Sequence, residues 1–291
     1  MRALALFVGL VLLALLLSAL VNYPLHLLLQ GNGGGAPHSL INTTGKLILL
    51  PCFVLLLRHH GLANRRDLGY ALGWRAFLVD LLKGLGMGLT ILLVLAAVLL
   101  ALEIRVPRPF ADGLPALLAK TLAVALIGGV LIGFIEETFF RGGLFAAVRR
   151  QSGPGATLVL TSLFYAWMHF IDPQPLPPGQ AIGWDSGLRI LAGTFDGYTD
   201  SATIGPFLAL FLLGLYLGLI RERTGNIAYA IGLHAGVVVV IKTLRKLTTV
   251  DTDNDLAHLV SHYDGTIGYL SAAGLSLHLI LVFRHWRRPR A

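Results

Sequence analysis

Cysteine is almost missing from this chain: Cys52 is the single one among 291 residues. That excludes an intramolecular disulfide and any zinc site built on paired thiolates. Charge is scarce as well, at 13% of residues against 55% hydrophobic ones. A water-soluble domain of this length would need a far more polar surface. The sequence has no internal repeat of the transporter kind, no low-complexity tract and no H-E-x-x-H stretch. The charge that remains is lopsided, with 23 Lys and Arg against 15 Asp and Glu. In so apolar a chain, that excess marks cytoplasmic loops rather than nucleic-acid binding, and no nucleic-acid partner is expected.

What is abundant is long apolar runs. Eight segments qualify as spans, at about 3–22, 40–57, 82–102, 114–148, 156–171, 203–220, 226–247 and 264–283. Unpaired backbone cannot sit in lipid, so these runs predict an all-α, polytopic membrane protein with about eight transmembrane helices. The first run is longer than a signal-peptide core and lacks a clean cleavage site, which predicts a retained span. Pro51 weakens the second. The fourth is too long for one straight crossing, and a break is expected near Gly142-Gly143.

Basic residues set the orientation. Arg2, Arg58, Arg65, Arg66, Arg75, Arg149, Arg150, Arg221, Arg223 and the tail "RHWRRPR" fall on one side of an alternating eight-span layout. Arg105, Arg108, Arg245 and Lys246 dissent. Both termini are therefore expected in the cytoplasm. Abundant Arg, Ala, Leu and Gly hint at a bacterial source, hence the plasma (inner) membrane. The Pro- and Gly-rich stretch 172–202 reads as a lid, a re-entrant element or a plain connector.

Ionisable side chains inside spans are costly unless paired or facing a wet cavity. The fourth span carries Glu136, Glu137 and Arg141, the fifth His169 and the seventh His234. At 1.5 Å per residue, Glu136 lies ~20 Å from Arg149, His169 ~20 Å from Ala156, and His234 ~15 Å from the Arg223–Gly225 edge. Similar depth on three helices is what a shared intramembrane site requires. Glu137 and Arg141, four residues apart, can pair on one helix face. Glu136 points about 100° away and is free to face the histidines. The bland reading is that the Glu–Arg pair is architectural and each histidine a satisfied packing residue. It is preferred for His26, His38, His59, His60, His258 and His262, which sit in loops or at interfaces. His278, in the eighth span, is expected to hydrogen-bond a neighbouring helix.

Three motifs then carry a resemblance. "EETFFRG" at 136–142 has the form E-E-x-x-x-R, "SLFYAWMH" at 162–169 the form F-x-x-x-H with Tyr165 in place of Phe, and "GNIAYAIGLHAGVV" at 225–238 leads from Gly-Asn-Ile to a histidine. In order, spacing and placement the chain resembles the CaaX-protease and bacteriocin-processing (abortive-infection-like) intramembrane endopeptidases, over roughly 115–245. The resemblance implies N-terminal helices in 1–110, a catalytic core in 111–247, and a final helix with a basic tail in 248–291. It departs from the family at Val238, where an Asn or Asp usually follows the third-motif histidine.

The resemblance implies peptide hydrolysis, with Glu136 activating water and His169 and His234 assisting. Glu137, Arg141 and Tyr165 would support them. The substrate implied is a membrane-associated peptide or lipidated protein. Glu136, His169 and His234 could alternatively hold a zinc ion. The family has been described both as metalloproteases and as glutamate-dependent enzymes, and the metal-free form is preferred here. A non-catalytic immunity or scaffold protein, and a transporter, remain the rival readings.

Overall fold

The computed structural model describes residues 2–29, 35–109, 113–261 and 264–287. His262 and the end of the basic tail lie outside them.

The described helices are α1 (Arg2–Leu20), α2 (Asn22–Leu29), α3 (Pro37–His59), α4 (Trp74–Ala101), α5 (Leu114–Glu137), α6 (Phe145–Arg149), α7 (Pro154–Met168), α8 (Ser186–Gly193), α9 (Ile204–Thr224), α10 (Ala228–Leu247) and α11 (Tyr269–Arg287). Each of the eight apolar segments contains one of these helices, the fifth leaving it after Met168 and the eighth entering it only at Tyr269. Six helices are long and apolar enough to cross a membrane, the fourth of them running from Leu114 to Arg149. α7, at 15 residues, and the apolar part of α11 are shorter. The chain is an all-α polytopic membrane protein. Exposed Leu93, Val94, Ile127 and Leu131 on the outer helices would be a liability in water and are at home against lipid.

The fourth segment is not broken at Gly142-Gly143. Thr138–Leu144 forms a π-helical turn, and the helix continues through α6. A π-turn inserts one residue into the helical ladder and turns the following side chains around the axis. Gly143 is needed there because a Cβ would lie 2.7 Å from the Phe53 ring of α3.

Beside α9, 61% buried, α10 is the more deeply buried of two inner helices. Its apolar window is 67% buried, against 17% for the Leu114–Arg149 helix and 28% for α4, which face outward. Glycines let its neighbours come close enough to touch backbone. A Cβ at Gly84 or Gly88 of α4 would collide with Tyr229 O or Leu233 O, and one at Gly232 of α10 with Leu81 O. On the other flank, a Cβ at Gly133 of α5 would stand 2.9 Å from Ile231 O. Lipid supplies no hydrophobic drive between helices, so such close packing is what fixes them.

The turn before α10 sets the height of His234. α9 ends on Gly225 in the left-handed conformation, at φ 67°. Asn226 Oδ1 then accepts from Ala228 N at 3.1 Å, and Ile227 N donates to Gly69 O at 3.1 Å. The Gly-Asn-Ile run is thus a hairpin cap.

At the other end of the bundle, β1 (Arg105–Pro107) pairs antiparallel with β2 (Thr248–Val250). Arg105 is buried there and donates to Thr248 Oγ1, Thr248 O and Gly265 O at 2.6, 3.0 and 2.8 Å. Burial lowers its pKa. An arginine turned into protein is no guide to the side its loop occupies, which accounts for one of the four dissenting charges.

Candidate active site

Glu136, at the end of α5, presents Oε2 to two imidazoles. His234 Nε2 on α10 stands 3.8 Å from it, and His169 Nε2, capping α7, 3.9 Å. The three residues expected at one depth therefore meet. Glu136 Oε2 is buried and without a hydrogen-bond partner among the described residues.

The second glutamate holds this arrangement from behind. Glu137 Oε1 receives Arg141 Nη1 at 3.1 Å and His234 Nδ1 at 2.9 Å. Arg141 Nη2 donates onward to Gly214 O of α9 at 3.3 Å. Glu137 is fully buried, and Arg141 is 3% and His234 4% exposed, whereas Glu136 and His169 keep 32% and 26% of their side chains accessible. Two adjacent glutamates thus stand in different environments, one locked and one open.

Hydrogen bonding fixes which ring nitrogens carry protons. His169 Nδ1 lies 2.8 Å from Tyr165 O, a carbonyl that only accepts, so the proton sits on Nδ1. The Glu137 carboxylate likewise takes the His234 Nδ1 proton. In the neutral rings both Nε2 atoms are then acceptors, and both face Glu136. Separations of 3.8 and 3.9 Å suit a bridging water, since two hydrogen bonds of about 2.8 Å meeting near 90° span that distance. They exceed the spacing of about 3.3 Å between ligand atoms on a tetrahedral zinc with bonds of about 2.0–2.1 Å. No group of three or more His, Cys, Asp or Glu is placed to hold a metal ion among the described residues.

Tyr165, 1% exposed, completes the cluster. Its ring centroid lies 4.4 Å from that of His169 and 6.5 Å from that of His234, and the Arg141 guanidinium carbon sits 4.2 Å above it. Val238, one turn beyond His234, faces α5 instead, where its Cβ would lie 3.5 Å from a Cβ at Gly129.

Arg221 is the residue that sequence reasoning took only for an orientation marker. Buried at the end of α9, it donates to Arg141 O in the π-turn at 2.9 Å, to Asp67 O at 2.7 Å, and to Gly225 O. The sole signal in the sequence was an arginine placed just before the Gly-Asn-Ile run. Nearby Arg149 pairs with Glu222 at 3.1 Å and Arg150 with Asp67 at 2.8 Å, so this end is tied as well as basic.

His278 departs from expectation. Its Nε2 is buried without a hydrogen bond among the described residues, and its ring stands edge-on to Tyr216 at 4.8 Å. His59 and His60 contact each other at the end of α3, and His258 Nδ1 bonds Asp255 O at 2.7 Å, away from the cluster.

A cavity of about 480 Å³ borders His169 and is lined by Asp172, Gln174, Leu176, Arg189 and Asp196, among others. Its wall is the stretch 172–202, which contains α8 and is packed in place. Tyr198 donates to Trp167 O at 2.6 Å, and the Trp184 ring lies 5.2 Å from Tyr23.

Residues 117–240 match the family described as Type II CAAX prenyl endopeptidase Rce1-like. The match spans α5 to α10, and so includes Glu136, His169 and His234. It bears out the resemblance read from the three motifs and, at the level of the family, supports an intramembrane protease. No curated protein and no solved structure matches the chain.

Proposed function

We propose, from the family match over 117–240, that the protein is an intramembrane endopeptidase that cleaves a membrane-associated peptide by a metal-free, glutamate-dependent hydrolysis. The observation that carries this is the placement of Glu136 Oε2 between two imidazole Nε2 atoms at 3.8 and 3.9 Å.

In this mechanism a water molecule donates one hydrogen to Glu136 and the other to an Nε2 lone pair. Glu136 takes its proton as the water oxygen bonds to the scissile carbonyl carbon. The carbonyl π pair moves onto oxygen, giving a tetrahedral oxyanion. On collapse the carbonyl re-forms, the C–N bond breaks, and the amine receives the proton from Glu136, directly or through His234. His169 holds the water by Nε2, its tautomer being fixed by Tyr165 O. Glu137 and Arg141 orient His234 rather than react. The peptide reaches Glu136 through the cavity beside His169, and the arginine-rich end faces the cytoplasm.

The test is cleavage of a quenched-fluorescence library of lipidated peptides by purified protein in nanodiscs. Wild type should cleave. Glu136→Gln should lose about 100-fold or more in kcat, as expected for a general base, with unchanged melting. A Glu136→Gln protein as active as wild type would sink the proposal, and full biological function in that variant would favour a scaffold.

A further inference from the structure

An oxyanion formed in a poorly hydrated site needs a hydrogen-bond donor aimed at it. The groups around Glu136 offer few. As neutral rings, His169 and His234 commit their Nδ1 protons to Tyr165 O and Glu137 Oε1 and turn acceptor nitrogens to the gap. Glu136 is itself an acceptor. Arg141 is a donor, but its guanidinium is occupied by Glu137 Oε1, Gly214 O and the Tyr165 hydroxyl oxygen.

Tyr165 remains. Its ring is in edge contact with both imidazoles, and Glu136, Arg141 and Glu137 are its charged neighbours. Burying a phenol rather than a plain ring is costly unless the hydroxyl finds a partner. Arg141 hydrogen-bonds the hydroxyl oxygen but, as a donor only, cannot accept its proton, which no hydrogen bond described above uses.

We propose that the Tyr165 hydroxyl is a catalytic group that donates a hydrogen bond to the tetrahedral oxyanion. This inference rests on the proteolytic reading and deepens it. The hydroxyl keeps its proton throughout. It binds the oxygen as the carbonyl π pair moves onto it and releases it when the C–N bond breaks. Since the bond is strongest in the intermediate, removing it should lower kcat and leave KM nearly unchanged.

The test uses the full chain in nanodiscs and a peptide that wild type cleaves, with Tyr165→Phe and Glu136→Gln in parallel. Tyr165→Phe should melt as wild type, lose about 100-fold or more in kcat, and keep KM within about twofold. A phosphinate analogue of the same peptide, which carries the tetrahedral geometry, should lose affinity in step with kcat/KM. Should Tyr165→Phe fail to fold, 3,5-difluorotyrosine at the same position keeps the shape and lowers the phenol pKa. The alkaline limb of kcat should then move to lower pH. Tyr165→Phe with wild-type kcat, a loss confined to KM, or an unmoved alkaline limb overturns the inference alone. A wild type that cleaves nothing, or Glu136→Gln as active as wild type, overturns the proteolytic reading and this inference with it.

Discussion

Glu137 Oε1 and His234 Nδ1 face each other across α5 and α10 at 2.9 Å, and the same oxygen holds Arg141 at 3.1 Å. One buried carboxylate thus sets an imidazole tautomer and neutralises a guanidinium. Glu137→Ala would leave Arg141 buried without its counter-charge, at a cost of about 3–5 kcal/mol. Thermal unfolding in detergent should show that loss. Glu136→Ala, at a more accessible position, should abolish cleavage while shifting melting far less. Equal destabilisation by the two would contradict this division of roles.

The glycine contacts around α10 give a second expectation. Gly232→Val puts side-chain atoms into Leu81 O and should prevent the α4–α10 packing, lowering both yield and activity. Gly86 on α4 is exposed with nothing within 4 Å of a Cβ, so Gly86→Ala should be neutral or mildly stabilising. Fluorescence-detected size-exclusion chromatography distinguishes the two.

Arg221 ties the π-turn to the 61–73 loop and to the α9–α10 turn. Arg221→Met should leave Arg141 O and Asp67 O without their donor, and about 1–3 kcal/mol is at stake for each buried group left unpaired. Faster hydrogen exchange around Asp67–Tyr70, together with lower activity, is the expected signature. Arg221→Lys cannot span the acceptors as a planar fork does and should rescue little.

A metal-free mechanism predicts that 1,10-phenanthroline leaves cleavage unchanged and that elemental analysis finds no stoichiometric zinc in active protein. One zinc per chain, with activity lost on its removal and restored on its return, would replace Glu136 as water activator by Lewis-acid chemistry.

Val238 lies one turn from His234 and beside Gly129. Its side chain is turned towards Gly129, so Val238→Asn in a Tyr165→Phe background should recover none of the lost kcat. Recovery in a well-folded double variant would show that position 238 reaches the oxyanion.

Much of the fold was legible because its signals are local. Each apolar run became a helix since backbone in lipid has few other ways to satisfy its hydrogen bonds. Glu136, His169 and His234 could be matched in depth because helical rise is fixed, and the Glu137–Arg141 pair followed from four-residue spacing. Harder to read were features that depend on which helix lies opposite. The expected break at Gly142-Gly143 is a π-turn because Phe53 crowds one side and Arg221 supplies a donor on another. His278 lacks its expected hydrogen bond because an aromatic ring stands opposite it.

The sequence alone determined that this chain enters a membrane as helices and carries a carboxylate and two imidazoles at one level, because composition, periodicity and rise act along a single chain. Only the tertiary structure decided that Glu137 grips His234 and that Arg221 spans loop and π-turn. Those contacts join residues up to 154 positions apart. They exist because glycine-lined helices come close enough for backbone and side-chain dipoles to meet, a proximity that no local pattern encodes.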